Sequence, residues 1–525
     1  MSGARTRREL VVEAWRAVLE VEPAGDDEDF FDAGGNSILL VMLQRELSER
    51  LGHRVPLSRI SADPTLAGLS ALEDGPAADA AVRATPFPRD DGRPAPLAHS
   101  QERLWLQEQF TPGHVDGTIE LAYLLAGDWE PERLERALLR VVEHHPVLRT
   151  IYPIDADDLE VSQVVRPTAE LVLEQRPTEA LSGAVPPLGP GDQAGPGGPE
   201  ALEAVAAGVF ADWWETPFDL EAAPPLRARL CALGDGRHLL CLQVHHLAFD
   251  GWSERRLIDD LAAAYRGEEL RPVPVGYASY SRWERSEAAQ WLESDLPFWR
   301  DRLSRPPRPF LPAPGTAEGE RREAEIGLDR DTVGRLTRVA ASYGGPPGAA
   351  LAAAVGRAVS GAFGVPDVCL GTVTAGRSVT ALEPVVGCFV NPVALVLGGV
   401  CGQSPGESMR STAEALTSAM EHGRTPFDEL VRLLGPDRER HPWFQTWVVL
   451  QNEPPRAHLG EAMWLDPVRV PKPRTGLDLV VEAIPRPDGG WRVLVAWRAD
   501  VVAGSSAEAL RTELRAAFGG LADLA

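Results

Sequence analysis

What constrains this chain most is a break in its patterning. From Glu73 to Pro96 the residues are dominated by Ala, Asp, Pro, Gly and Arg with no hydrophobic period. Such a stretch has no apolar face to bury and reads as a linker (74–96), semi-stiff where proline concentrates. On its N-terminal side, residues 5–73 repeat apolar positions at helical spacing: Leu10, Val11, Ala14, Trp15, Val18 and Leu19, then Ile38, Leu39, Met42, Leu43 and Leu47. A last face of Leu66, Leu69 and Leu72 follows Asp63-Pro64. That pattern predicts a small helical bundle with a modest core. On the C-terminal side, helical and strand patterns alternate to residue 525, as in α/β layers. Within that block Ser182–Glu200 is Gly/Pro-rich and predicts a surface loop. The proline-rich run Arg305–Gly315 predicts a hinge between two lobes, 97–303 and 316–525.

Charge narrows the partners. The chain carries 77 acidic and 52 basic residues, a formal net charge of −25. A field of that sign repels nucleic acid and anionic membranes, so neither is an expected partner. The cysteines at 231, 241, 369, 388 and 401 contain no CxxC pair and are odd in number, which argues against a disulfide framework and a structural zinc site. Most of them are expected to be small core hydrophobes. The N-terminus shows no apolar signal core, and no apolar run approaches the ~20 residues of a spanning helix. A cytoplasmic, reducing setting is expected.

Two motifs carry chemistry. The first is Asp29-Phe30-Phe31-Asp32-Ala33-Gly34-Gly35-Asn36-Ser37, with a helix beginning at about Ser37. The paired glycines allow a tight turn and leave the serine uncrowded. A serine at a helix start sits beside unpaired N–H groups, where a phosphate ester is welcome, although a plain helix cap explains a lone serine equally well. The whole segment resembles the carrier-protein signature, in which phenylalanines precede Gly-Gly-x-Ser. Residues 5–73 match that family in length and helix order, with Ala33 where leucine is usual. The resemblance implies that Ser37 takes a 4'-phosphopantetheine arm from a phosphopantetheinyl transferase.

The second motif is His245-His246-Leu247-Ala248-Phe249-Asp250-Gly251-Trp252-Ser253, preceded by the apolar run Leu239–Val244 and followed by a helix through Ile258, Leu261 and Tyr265. The run predicts a buried strand. Alternation along it would send His245 and His246 to opposite faces, so one alone can meet a shared channel. Asp250-Gly251 predicts a turn, with Ser253 available as a cap. A bare pair of histidines is more often a satisfied core feature than a site, and no third ligand stands at zinc spacing.

His-His-x-x-x-Asp-Gly resembles the active-site motif of condensation domains and their chloramphenicol-acetyltransferase-like relatives, and the likeness recurs in order along the block. Leu97–Trp105 resembles the opening condensation motif, with Ala98 and Ser100 exchanged; His145–Thr150 resembles the second, with His144 replacing an arginine. Tyr277, Tyr280 and Trp283 fit the fourth, with Ser279 for aspartate, and Val386–Asn391 the fifth, with Pro392 for threonine. Pro426-Phe427-Asp428 retains the end of the sixth, and Asp437, Arg440, Pro442, Phe444 and Gln445 much of the seventh.

This resemblance implies a carrier–condensation didomain of a non-ribosomal peptide synthetase: a four-helix carrier bundle ahead of an α/β condensation domain of two lobes in a V-shaped pseudodimer. It further implies that an amine on a downstream aminoacyl carrier attacks the acyl group held on an upstream carrier. In that scheme His246 faces the tunnel as base or amine-positioning group, with His245 beside it in the motif. Gly251 keeps the backbone compact there, and Asp250 pairs structurally with Arg377. A carrier directly upstream serves the donor side, so Ser37 would bear the electrophile. Upstream synthetase modules and an acceptor carrier are the expected partners. An epimerisation domain is the nearest enzymatic rival, but no Glu-Gly-His-Gly-Arg segment is present. A non-catalytic recruitment module is the rival of a different class, and its histidine motif would tend to be damaged.

Overall fold

In the computed structural model the described residues are 6–19, 21–31, 33–35, 37–53, 55, 59–60, 63–72, 87–127, 129–155, 160–176, 198–234, 237–435, 443–460 and 463–525. Asp32, Asn36, the side chain of Ser37, linker residues 74–86, residues 182–197, and Asp437, Arg440 and Pro442 lie outside them.

The N-terminal bundle grows from the helical spacing. Helix α1 (Arg7–Leu19) turns Val11, Ala14, Trp15 and Val18 inward against α2 (Ser37–Leu51) and α3 (Leu66–Ser70). Arg59-Ile60 is also helical. Trp15 meets Phe30 edge-on, ring centroids 5.6 Å apart. The loop before α2 is pinned by the Phe30 N–H to the Pro64 carbonyl at 3.0 Å and the Gly35 N–H to the Phe30 carbonyl at 2.8 Å. A Cβ on Gly35 would stand 2.4 Å from the Phe30 ring, so the fold demands glycine there.

Beyond the linker come β1 (Ala95–Pro96), α4 (His99–Phe110), β2 (Thr118–Ala126), α5 (Pro131–His144), β3 (Thr150–Ile151), β4 (Ser162–Val165) and β5 (Leu173–Arg176). Then follow α6 (Gly198–Trp214), β6 (Leu226–Gly234), β7 (Arg237–His245), α7 (Ser253–Arg266) and α8 (Tyr277–Leu303). The second half holds β8 (Gly319–Leu328), α9 (Arg330–Ser342), α10 (Pro347–Phe363), β9 (Val368–Thr374), β10 (Asn391–Leu397), α11 (Pro405–Glu421) and α12 (Phe427–Leu434). It closes with β11 (Thr446–Leu450), β12 (Ala457–Gly460), β13 (Met463–Val468), β14 (Arg474–Thr475), β15 (Leu479–Pro485), β16 (Trp491–Arg498) and α13 (Gly504–Ala522).

These strands make two large sheets, ordered β12-β13-β2-β7-β6-β5 and β10-β9-β11-β15-β16-β8-β14, and a small one of β1, β4 and β3. Strand β7 is apolar without alternation because both its faces are covered. Leu239 and Cys241 enter a core with Phe210 of α6, whereas Leu240, Leu242 and Val244 enter one with α5 and α7. The second sheet is covered by α9, α10, α11 and α13 around Leu336, Val355, Leu416 and Leu514. Among the described residues no helix is long and apolar enough to cross a membrane.

The second sheet does begin after Arg305–Gly315, at β8, but a single cut there does not separate the halves. Strands β12 and β13 come from the second half and extend the first sheet, β13 pairing antiparallel with β2 from Trp464↔Ala126 to Val468↔Ala122. The open N–H and C=O groups on the edge of β2 are satisfied by a strand the later sequence lends. The same segment is tied down by Lys472, whose Nζ donates to the Val115 and Thr118 carbonyls at 2.8 and 2.7 Å.

Candidate active site

The histidine pair separates where β7 ends. His245 is its last residue and is 1% exposed; its Nδ1 accepts the Leu247 N–H at 3.1 Å. That assigns the proton to Nε2, which faces Glu108 Oε2 at 3.6 Å, with Phe218 edge-on to the ring. His246 opens a 3-10 turn, His246–Ala248, and keeps part of its surface accessible. The chain leaves the strand between them, and the two rings have different neighbours. His246 Nδ1 stands 3.6 Å from the Cys388 thiol. Burial lowers the His246 pKa to about 4; a hydrogen bond to its own backbone and Asp250 pull it up, while Arg103 and Lys472 push it further down. The imidazole is therefore neutral at physiological pH.

Asp250 and Arg377 meet although 127 positions apart. The guanidinium donates to both carboxylate oxygens, at 2.7 and 3.1 Å, and both side chains are fully buried. Asp250 also accepts N–H groups from Ser253 at 2.9 Å and Phe389 at 3.0 Å. The start of α7 is thus held by Asp250, and the hydroxyl of Ser253, expected as the cap, instead serves Asp250 and Gly387. Arg377 further donates to the Val385 carbonyl at 3.1 Å and lies over the Phe389 ring. Gly376 makes this approach possible: its φ is +64°, and a Cβ there would stand 1.8 Å from the Phe389 carbonyl oxygen. Gly251 is exposed beside the loop.

The collinear motifs converge on this loop. Gln101 of the first donates to the Leu247 carbonyl at 2.9 Å. Ser100 and Tyr277 both donate to the Cys388 carbonyl. His145 of the second motif holds Asp260 of α7 at 2.8 Å. Asn391 of the fifth accepts the Phe427 N–H of the sixth at 3.0 Å. Sequence reasoning missed Cys388 as the neighbour of His246, since a buried cysteine looks like any core filler.

The bundle packs directly on this region. Trp252 and Met420 lie against its core, and Thr380 Oγ1 donates to Glu46 Oε1 at 2.6 Å. Met42 of α2 lines a cleft together with Ser100, Tyr280, Arg377 and Phe389. Ser37 begins α2 and so lies roughly 7–8 Å along the helix axis from Met42. The first-turn N–H groups of α2 and the glycines before it fit a serine bearing a phosphodiester-linked arm. No sequence signal marks Thr380 or Glu46 as partners.

Comparisons with known proteins agree with this arrangement. Residues 93–499 match the family model for a condensation domain, and residues 9–72 that for a phosphopantetheine attachment site. CymA of Salinispora arenicola, described as a probable non-canonical nonribosomal peptide synthetase, is 32% identical over 473 residues, which is 85% of this chain and 6% of CymA. The phosphinothricin tripeptide synthetase PhsB of Streptomyces viridochromogenes is 31% identical over 461 residues, 84% of this chain and 37% of PhsB. The chain thus spans a minor part of either relative. In fold it resembles the first condensation domain of the calcium-dependent antibiotic synthetase (TM-score 0.66, 19% identity, 82% of this chain and 97% of that one). It equally resembles the X-domain of teicoplanin biosynthesis solved with OxyB (TM-score 0.66, 23% identity, 84% and 95%). The chain belongs to the condensation-domain family of nonribosomal peptide synthetases and carries a domain with a phosphopantetheine attachment site ahead of the condensation domain.

Proposed function

We propose that this chain transfers a peptidyl or aminoacyl group from Ser37 to the amine of a downstream carrier-bound aminoacyl thioester, with His246 at the point of reaction. The arm supplies an acyl thioester at the end of a flexible tether. A C–N bond forms as the C–S bond breaks, and the proton shed by the amine nitrogen ends on the departing sulfur. His246, neutral and partly accessible, accepts or orients that N–H; such help is typically worth ~10²–10⁴-fold. Its low basicity favours orientation over outright proton removal, and positioning of both reactants can supply up to ~7–11 kcal/mol. We assign His245 to support of the turn, through Leu247 and Glu108, and the Asp250–Arg377 pair to the frame that aims the loop. Gly251 leaves the approach beside His246 open. Upstream modules, an acceptor carrier and a phosphopantetheinyl transferase are the partners, in the cytoplasm.

The observation that carries this reading is the seat of α2: the helix that begins at Ser37 lines, through Met42, the cleft walled by Arg377 and Phe389 next to the histidine loop. The test loads the chain with a peptidyl arm using a phosphopantetheinyl transferase, adds aminoacylated acceptor carriers and reads intact masses. The expected result is one arm on the wild type, none on Ser37→Ala, and a peptide on the acceptor. An arm on Ser37→Ala would refute the attachment site. Inversion of the donor α-carbon without transfer would mark an epimerase, and loading with neither outcome would mark a recruitment module.

A further inference from the structure

A second cavity opens beside the same loop. It lies between the second sheet and helices α10 and α11. Its walls include Leu351 and Ala352 of α10, Leu395 of β10, Leu416 and Met420 of α11 and Val448 of β11. Its mouth lies at Gly251 and Gln451, where a Cβ on Gly251 would come within 3.9 Å of Gln451 Oε1. Among the described residues no charged side chain lines it. The space has a local cause: α10 reads Pro-Gly-Ala-Ala-Leu-Ala-Ala-Ala, and its small side chains leave a gap under the sheet that larger ones would fill.

Position ties this cavity to the carrier. Thr374, Ala375 and Met420 line both it and the cleft that Met42 enters. Met420 also packs on the carrier core. We infer that this cavity receives the apolar side chain or acyl tail of the donor carried on Ser37, and so selects uncharged, apolar donors. The inference rests on the donor reading of Ser37 given above. A carboxylate or ammonium entering it would lose its water and gain no counter-charge, whereas each buried methylene favours binding roughly fourfold.

The chain has five methionines, so Met420 can be followed by methyl NMR of the full-length protein and assigned with Met420→Leu. Ser37 is loaded with non-hydrolysable amide analogues of the arm ending in acetyl, hexanoyl or succinyl groups. Hexanoyl is expected to move the Met420 methyl signal, while acetyl and succinyl leave it in place. Ala352→Phe, which fills the cavity, is expected to abolish the hexanoyl response. A Met420 signal indifferent to chain length, or moved equally by succinyl, would overturn the assignment. The wild-type series needs no variant to fold. Acyl transfer is read separately: a Met420 response without amide formation supports the cavity and breaks the reading of the reaction.

Discussion

The carrier and the histidine loop are held in opposite ways. The carrier has one small core around Trp15, Phe30, Leu43 and Leu66, and meets the rest through Trp252, Met420 and the Thr380–Glu46 hydrogen bond. The histidine loop is clamped from both halves of the condensation fold: Asp250 is fully buried, takes both arms of Arg377, and accepts backbone N–H groups from Ser253 and Phe389. A hydrogen bond to a charged group, such as Glu46 in its pair with Arg50, is worth about 1.5–3 kcal/mol, whereas removing one partner of a buried ion pair costs about 3–5 kcal/mol. The proposed transfer would use that contrast, since its donor would have to leave for reloading while the histidine loop stayed in place.

The comparison breaks first at its rigid end. Asp250→Ala should destabilise the chain by about 3–5 kcal/mol, seen as a lower melting temperature and soluble yield, because Arg377 is left buried without its counter-charge. His246→Ala, which removes no ion pair, should melt near the wild type. An equal or reversed ranking would deny Asp250 its structural role. At the loose end, Thr380→Val removes the hydroxyl facing Glu46. It should weaken the docking equilibrium of the carrier by roughly 10- to 150-fold, measured by energy transfer between labels on the two domains, and leave the melting temperature unchanged. A docked fraction untouched by this change would remove the hydrogen bond from the account of docking.

The smallest effect is a signal that should stay still. The His246 pKa is lowered to about 4 from an ordinary 6.5, chiefly by burial, so the ring is neutral above the lower value and gains its proton only as pH falls through it. Its NMR signals should not titrate between about pH 5 and 8. Because the folded value lies below the unfolded one, its neutral state adds stability that is complete above 6.5 and is lost as pH falls from there toward 4. A titration centred near 6.5 would show a solvated ring rather than a buried one.

Local pattern disclosed a good deal of this molecule. The run Leu239–Val244, apolar but for Gln243, is a strand covered on both faces, and Val11, Ala14, Trp15 and Val18 line one side of a helix, because burial repeats with the period of each element. The pairing of β13 with β2 was not legible, since a strand's choice of neighbour depends on distant edges rather than on its own residues. The site divides likewise. Residue chemistry alone left His245 and His246 as plausible core histidines; resemblance across several motifs singled out His246, Asp250 and Arg377. Neither route pointed to Cys388, placed against His246 by hydrogen bonds that Ser100 and Tyr277 make to its carbonyl. Nor did either expose the Thr380–Glu46 contact, because a threonine meeting a glutamate leaves no pattern in sequence.

The most direct test is a single-turnover experiment on the full chain, with a donor loaded on Ser37 and an aminoacylated acceptor carrier in excess, comparing wild type with His246→Ala. Transfer slowed by ~10²–10⁴-fold, at an unchanged melting temperature, is the expected result. A variant that forms the amide at close to the wild-type rate would contradict the claim that this imidazole meets the acyl group and the incoming amine.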